Sequence, residues 1–267
     1  MRKNNQPTIR AKKSLGQNFL IDQNIVLKII ETADIQPDDT VVEIGPGLGA
    51  LTAELIKKAK QVLAIELDQQ LYQKLLDVFA DQKNLELIHL DALQYQPPES
   101  YQLIANIPYY ITGKILRHFL LEVRNLPEQI VLLVQKEVAQ RICAGPGEYS
   151  LPALLVQIFG QPQIIHRVSP HCFRPEPKVE SVILQIIMHK QPLVSDPKTF
   201  FKLVAACFQQ KRKKIHNTLS NYLNLDRQTT DDLLKEIEID PNLRPQDLGI
   251  EQWKKILKRV IRSRKEN

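Results

Sequence analysis

Short apolar runs separated by polar or helical stretches organise the first two thirds of the chain. Five of them, TVVEIG from Thr40, QVLAIEL from Gln61, NLELIHL from Asn84, YQLIANI from Tyr101 and QIVLLVQ from Gln129, have the length and aliphatic character of buried strands. Between them, LTAELIKKA from Leu51 and QQLYQKLLDVFA from Gln69 repeat apolar residues three and four apart with charges in between, the spacing of amphipathic crossover helices. Strands alternating with helices predict parallel βαβ units. Ahead of them, DQNIVLKIIETADI places Ile25, Val26, Ile29 and Ile30 at helical spacing behind an Asp22 N-cap. Two later β-rich runs, PQIIHRVS from Pro162 and VESVILQIIM from Val179, flank a Pro-rich loop and suit an antiparallel pair that closes a sheet of seven strands.

At Gln191, Pro192 and the Asp196-Pro197 pair the β-branched runs stop. The stretches FKLVAACFQQ, TDDLLKEIEI and EQWKKILKRVIRS then read as helices joined by Asn-, Asp- and Pro-containing turns. The expected fold is α/β, with a parallel-sheet domain over residues 22–190, a small all-helical domain over 191–267, and a basic segment over 1–21.

Charge adds a division that the apolar pattern does not show. The net charge of +6 is unevenly spread: residues 192–267 carry sixteen Lys and Arg against ten Asp and Glu, and residues 1–21 carry five basic residues and no acidic one. The middle of the chain is therefore acidic, and a polyanion is attracted at the two ends. Three cysteines, Cys143, Cys172 and Cys207, are far apart and lack the paired spacing of a zinc site or disulfide framework. No metal is expected. The apolar runs are too short for a membrane helix, and MRKNNQPTIRAKKSLGQNFL lacks the apolar core of an export signal, so the expected location is cytoplasmic, without a membrane partner.

The candidate chemistry lies at strand ends. VVEIG runs into Gly45-Pro46-Gly47-Leu48-Gly49-Ala50 and then a helix, the order a nucleotide-binding loop requires. The second strand ends at Glu66, where a carboxylate can accept from both ribose hydroxyls of an adenosine. The third leads to Asp91, placed to accept an adenine amine. The fourth ends in Asn106-Ile107-Pro108-Tyr109, which suits methylation of a planar amine. Asn106 Oδ1 is one acceptor for its hydrogens, the Ile107 carbonyl freed by Pro108 is a second, and the Tyr109 ring can stack on the base.

Five segments together resemble the KsgA/RsmA family of ribosomal RNA adenine dimethyltransferases: KSLGQNFL at 13–20, EIGPGLGALT at 43–52, NIPYYI at 106–111, FRPEPKVES at 173–181 and FQQKRKKIHNTL at 208–219. The resemblance implies a Rossmann-like class I methyltransferase sheet with a helical C-terminal domain, and S-adenosylmethionine as cofactor. It implies cofactor contacts at Asn18, Leu20, Gly45, Gly47, Glu66, Asp91 and Asn106, and aromatic walls around the target adenine from Tyr109 and Phe173. The basic run Lys211, Arg212, Lys213 and Lys214 is the expected RNA contact. The implied substrate is a pair of adjacent adenosines in a hairpin near the 3′ end of small-subunit ribosomal RNA, each converted to N6,N6-dimethyladenosine, by a monomer that acts on the ribosomal particle and takes part in small-subunit biogenesis. Three alternatives compete: an Erm-type large-subunit methyltransferase conferring antibiotic resistance, a non-catalytic RNA-binding assembly factor, and an NAD oxidoreductase. Gly16 of LGQNFL and the FQQKRKK segment argue against the first, and intact Glu66, Asn106, Pro108 and Tyr109 against the second. The third lacks a convincingly placed polar residue for hydride transfer.

Overall fold

The computed structural model of the chain describes Lys12 and residues 16–266, except for the side chains of Tyr109 and residues 263–266. The rest of the basic N-terminal segment, 1–11 and 13–15, lies outside the described residues. The elements run β1 (Phe19–Leu20), α1 (Gln23–Ala33), β2 (Thr40–Ile44), α2 (Thr52–Leu55), β3 (Gln61–Glu66), α3 (Gln69–Val78), β4 (Leu85–His89), β5 (Gln102–Asn106), α4 (Thr112–Arg117) and β6 (Gln129–Gln135). They continue with α5 (Lys136–Cys143), α6 (Leu151–Gln157), β7 (Gly160–Val168), β8 (Phe173–Arg174), β9 (Ser181–Met188), α7 (Pro197–Phe208), α8 (Ile215–Leu223), α9 (Arg227–Glu236) and α10 (Ile250–Glu266).

Seven strands form one sheet in the order β4-β3-β2-β5-β6-β9-β7. The five expected parallel strands pair as βαβ units, β2 with β3 and β5, β3 with β4, and β5 with β6, while β9 runs antiparallel to β6. Chain order reverses at β2: the crossovers first build outward through β3 and β4, then return to lay β5 on its other side. Such a switch point opens a crevice beyond the carboxyl ends of the strands, here between the ends of β2 and β5. The central strands are buried except at their ends, as sheets covered on both faces must be: Val41, Val42, Leu103, Ile104, Val131 and Leu132 are all inaccessible.

Helix α1 starts where the Asp22 carboxylate accepts from the Asn24 and Ile25 N–H groups, and it buries Ile25, Val26, Ile29, Ile30 and Ala33. The stretch after Leu51 is a shorter helix than its pattern predicts. Only Thr52–Leu55 is α-helical, and the bonds Lys57 N–H to Glu54 and Lys58 N–H to Leu55 tighten to three-residue spacing. The Asn84 side-chain amide donates to the carbonyls of Ile56 and Ala59, 2.8 and 3.1 Å away, supplying donors that a continued helix would have provided from its own backbone.

The chain divides into two compact units, one through Ala139 with Gln163–Met188, the other Gln140–Pro162 with His189 onward. This differs from the expected continuous 22–190 domain, because residues 140–162 group with the C-terminal helices. Helix α6 packs against α7 and buries Ala153, Leu154, Leu155 and Val156, an all-round apolar run that one sheet face does not absorb. Within the second unit, α7 begins at the Asp196 N-cap with Pro197 in its first turn and buries Phe200, Leu203, Val204 and Cys207. Trp253, Ile256, Leu257 and Val260 form the buried stripe of α10. No helix among the described residues is long and apolar enough to cross a membrane.

Candidate active site

The first unit holds a cavity of about 300 Å³ at the switch point, lined by the loop after β2, the ends of β3 and β5, the segment after β4, and residues 16–20. Gly45, Gly47, Glu66, Asp91, Asn106, Ile107, Pro108, Asn18 and Leu20 all line it, so residues far apart in sequence converge on one space. The glycine loop follows from β2 without a break, Gly45 N–H donating to the Ile65 carbonyl at 2.9 Å. At Gly47 the backbone has φ +61°, and a Cβ would lie 3.2 Å from the Phe19 ring, so any side chain there is both strained and crowded. That approach lets the Gly47 N–H reach Glu66 Oε2 at 3.1 Å.

Glu66 is 5% exposed rather than solvated. Its Oε1 accepts the Asp68 N–H at 2.8 Å and its Oε2 the Gly47 N–H, which fixes the carboxylate at the cavity wall with further lone pairs to offer. Burial raises the Glu66 carboxyl above its ordinary range, and the hydrogen bonds from Asp68 and Gly47 only partly oppose this. Asp91 caps the short helical turn Ala92–Gln94, Oδ1 accepting the Leu93 N–H at 2.9 Å.

Asn106, the last residue of β5, donates from Nδ2 to the Asn18 carbonyl at 3.4 Å. That bond uses one of the two amide hydrogens and marks Nδ2 as the donor end and Oδ1 as the acceptor end of the group. Pro108 has φ −56° and ψ 133°, turning the chain from the strand into a helical turn over Tyr109–Ile111. The Tyr109 side chain, expected to stack on the target base, lies outside the described side chains.

One expectation meets a different placement, while the basic run lies in the second unit, as expected. Phe173 is 0% exposed, packs in the hydrophobic core with Leu20 and Val168, and does not line the cavity. The reason is its position in β8: it stands opposite Leu20 in the two-residue antiparallel pair with β1, and its ring turns inward. Its ring therefore supports the 16–20 segment from below instead of walling the target site. The basic run Lys211, Arg212, Lys213 and Lys214 belongs to the second unit as an exposed turn between α7 and α8, and Lys214 Nζ donates to Asn242 Oδ1 at 2.6 Å.

Two carboxylates, Glu43 in the cavity lining and Asp68 just after the lining residue Leu67, are not among the residues expected from the sequence. Glu43, in the middle of VVEIG, lines the cavity floor at 1% exposure, and Thr52 Oγ1 donates to its Oε2 at 2.7 Å. Burial pushes its carboxyl up to about 8, the Thr52 bond opposing and the Glu66 charge adding to the rise. An acid flanked by apolar strand residues was the available signal. Asp68, 4% exposed, caps α3 through Gln70 N–H and binds both Lys12 Nζ and Gln17 Nε2. Its place just before a helical pattern was the signal for the cap, but no local pattern points to its long-range partners.

A parallel sheet with a glycine loop and a ribose-type carboxylate on one side of the switch point, and an Asn-Ile-Pro-Tyr corner on the other, defines a Rossmann-like methyltransferase domain. The chain matches the family described as ribosomal RNA adenine dimethylase over residues 8–262, and it belongs to that family. It is 42% identical to the ribosomal RNA small subunit methyltransferase A of Dehalococcoides mccartyi strain CBDB1, over 93% of this chain and 88% of that one. Among solved structures it is similar to a dimethyladenosine transferase from Plasmodium falciparum, with TM-score 0.79 and 27% identity, covering 93% of this chain and 98% of that one. It is also similar to the 23S rRNA methyltransferase ErmE, with TM-score 0.72 and 28% identity, covering 91% of this chain and 100% of that one.

Proposed function

We propose that the chain dimethylates the N6 amines of adenosines in small-subunit ribosomal RNA, using S-adenosylmethionine. The single observation that carries this reading is the Asn106 amide at the cavity wall, whose Nδ2 donates to the Asn18 carbonyl and whose Oδ1 is the acceptor end for an amine hydrogen. The small subunit is favoured over the large because the similarity to a protein named for the small subunit, 42%, exceeds the 28% to ErmE.

The cavity residues fit the cofactor. Glu66 is a buried carboxylate held by two backbone N–H groups, suited to paired hydroxyls, and the side-chain-free Gly47 lets a ligand lie against the loop. Asp91 keeps one carboxylate oxygen for an adenine amine after capping with the other. When bound, the cofactor supplies an electrophilic methyl group with a neutral thioether as leaving group. The work of the chain is then positional. Asn106 Oδ1 and the Ile107 carbonyl hold the two amine hydrogens and aim the nitrogen lone pair, and Tyr109 stacks on the base. Fixing a nucleophile in line with its target replaces an improbable encounter with a preset one, an effect on the order of several kcal/mol.

The exposed turn at 211–214 holds RNA through its phosphates, and the enzyme acts as a monomer on the cytoplasmic ribosomal particle. Tritiated S-adenosylmethionine offered with unmethylated small subunits, large subunits and free RNA, followed by nucleoside analysis, tests the reading. Labelled N6,N6-dimethyladenosine from small subunits is expected; label confined to large subunits selects the Erm-type alternative, and no transfer at all selects a non-catalytic assembly factor.

A further inference from the structure

Residues 16–20 form one wall of the cavity, and among the described residues their polar attachment beside Glu66 runs through one carboxylate, Asp68. Lys12 Nζ donates to Asp68 Oδ1 at 2.9 Å, and Gln17 Nε2 donates to Asp68 Oδ2 at 3.2 Å. Lys12 and Gln17 also grip each other, the Lys12 N–H reaching Gln17 Oε1 at 2.8 Å. Asp68 in turn donates its own N–H to Glu66 Oε1 at 2.8 Å. A chain of hydrogen bonds thus leads from the wall segment to the carboxylate assigned to the ribose.

The electrostatics agree with a working ion pair. Burial by itself would raise the Asp68 carboxyl, yet the hydrogen bonds from Lys12, Gln17 and Gln70, with the Lys12 charge, hold it below its ordinary value. Asp68 is therefore ionised at neutral pH. An N-cap needs one acceptor, which Asn supplies as well as Asp, so the α3 cap does not explain the charge or the two long-range partners.

We propose that Asp68 is a positioning residue that latches the 16–20 segment over the cofactor, so that the Lys12 and Gln17 contacts set the rate at which the cofactor leaves. The proposal rests on the reading of the cavity as the S-adenosylmethionine site. Leu20 anchors one end of the segment in the core opposite Phe173, and the polar contacts of Lys12 and Gln17 hold the other: each methyl transfer requires a spent cofactor to leave and a fresh one to enter, and a hydrogen-bonded latch at that end opens without unpacking the core.

The test is the dissociation rate of tritiated S-adenosylmethionine from full-length protein, chased with unlabelled S-adenosylhomocysteine, for wild type, Lys12→Met, Lys12→Arg, Asp68→Asn and the Lys12→Met/Asp68→Asn double variant. Asp68→Asn keeps the helix cap, and Lys12→Met leaves the buried residues untouched. The expected result is a rate increase of about tenfold for Lys12→Met and for Asp68→Asn, the scale of one partly exposed charge-assisted hydrogen bond. The double variant is no faster than the faster single one, since both remove the same interaction. Lys12→Arg restores the slow rate, and in turnover the Lys12→Met defect falls on the cofactor KM rather than on kcat. If wild type retains the label and Lys12→Met releases it at the wild-type rate, or if the two single effects add, the latch is overturned while the cofactor site stands. If wild type retains no label, the cofactor reading falls and the latch with it.

Discussion

Replacing Glu43 by Gln probes the buried carboxyl on the cavity floor. In the folded chain the group titrates at about 8 against an ordinary 4.5, because it is enclosed and shares the site with Glu66. Between those two values the native protein keeps a proton that the unfolded chain has already released. Stability must then fall as pH rises, by up to about 1.4 kcal/mol per pH unit, and the penalty is complete only above the folded value. Its full size is on the order of 5 kcal/mol. The amide introduced by Glu43→Gln has the same shape as the carboxyl, can still accept from Thr52 Oγ1, and does not ionise. Urea unfolding of both proteins without cofactor, at pH 5.5 and pH 8.5, compares them with every other titrating residue shared, Glu66 being coupled to the exchanged carboxyl. The advantage of Glu43→Gln over wild type is expected to grow by about 3 kcal/mol between those pH values. An advantage that stays constant across the range would show that the Glu43 carboxylate is adequately solvated in the fold, and the argument from burial would fail.

Glu66→Ala is expected to weaken S-adenosylmethionine binding, since each hydroxyl bond to a carboxylate contributes roughly 1.5 to 3 kcal/mol; calorimetry giving an unchanged Kd for a folded variant would take Glu66 out of the site. Neutralising Lys211, Arg212, Lys213 and Lys214 together is expected to lower affinity for small-subunit particles and flatten its salt dependence, the logarithmic slope falling by about 0.7 to 0.9 for each phosphate no longer neutralised, with cofactor affinity unaltered. A variant with the wild-type salt slope would show the turn to be merely solvated. Asn106→Ala is expected to reduce methyl transfer by about a hundredfold while particles still sediment with the enzyme. Mass spectrometry showing dimethyladenosine formed at the normal rate would withdraw the catalytic assignment.

What could be read from the sequence followed from local rules, and what could not depended on contacts between distant segments. The parallel strands, the Asp22 cap and the glycine loop each rest on a pattern a few residues long, and the structure reproduces them. Asp91, Glu66 and Asn106 were legible because strand ends in a parallel sheet share one edge, so the end of each run nominated its candidate. Helix α2 stops early through Asn84, which lies well downstream beyond β3 and α3. Phe173 turns into the core because β8 pairs with β1, a match of two residues between segments at opposite ends of the first unit. The grouping of 140–162 with the C-terminal helices likewise depends on where α6 finds an apolar partner, which the alternation of strands and helices does not encode.

The 16–20 segment joins these separate readings. It is held at three places: by Gln17 on Asp68 beside Glu66, by the Asn18 carbonyl on Asn106 at the end of β5, and by Leu20 opposite Phe173 in the β1–β8 pair. Cofactor side and target side thus share one short piece of chain whose regular structure is the two-residue strand β1. A displacement of that piece would move the Asn106 partner as well as the cavity wall, so the orientation of the Asn106 amide depends on where the segment sits. Without the Asn18 carbonyl to receive Nδ2, the two ends of the Asn106 amide are no longer told apart by that hydrogen bond, and Oδ1 loses its fixed direction. The hydrogen bond between Asn18 and Asn106 thus ties the direction of the Asn106 amide to the position of the cavity wall that carries Asn18.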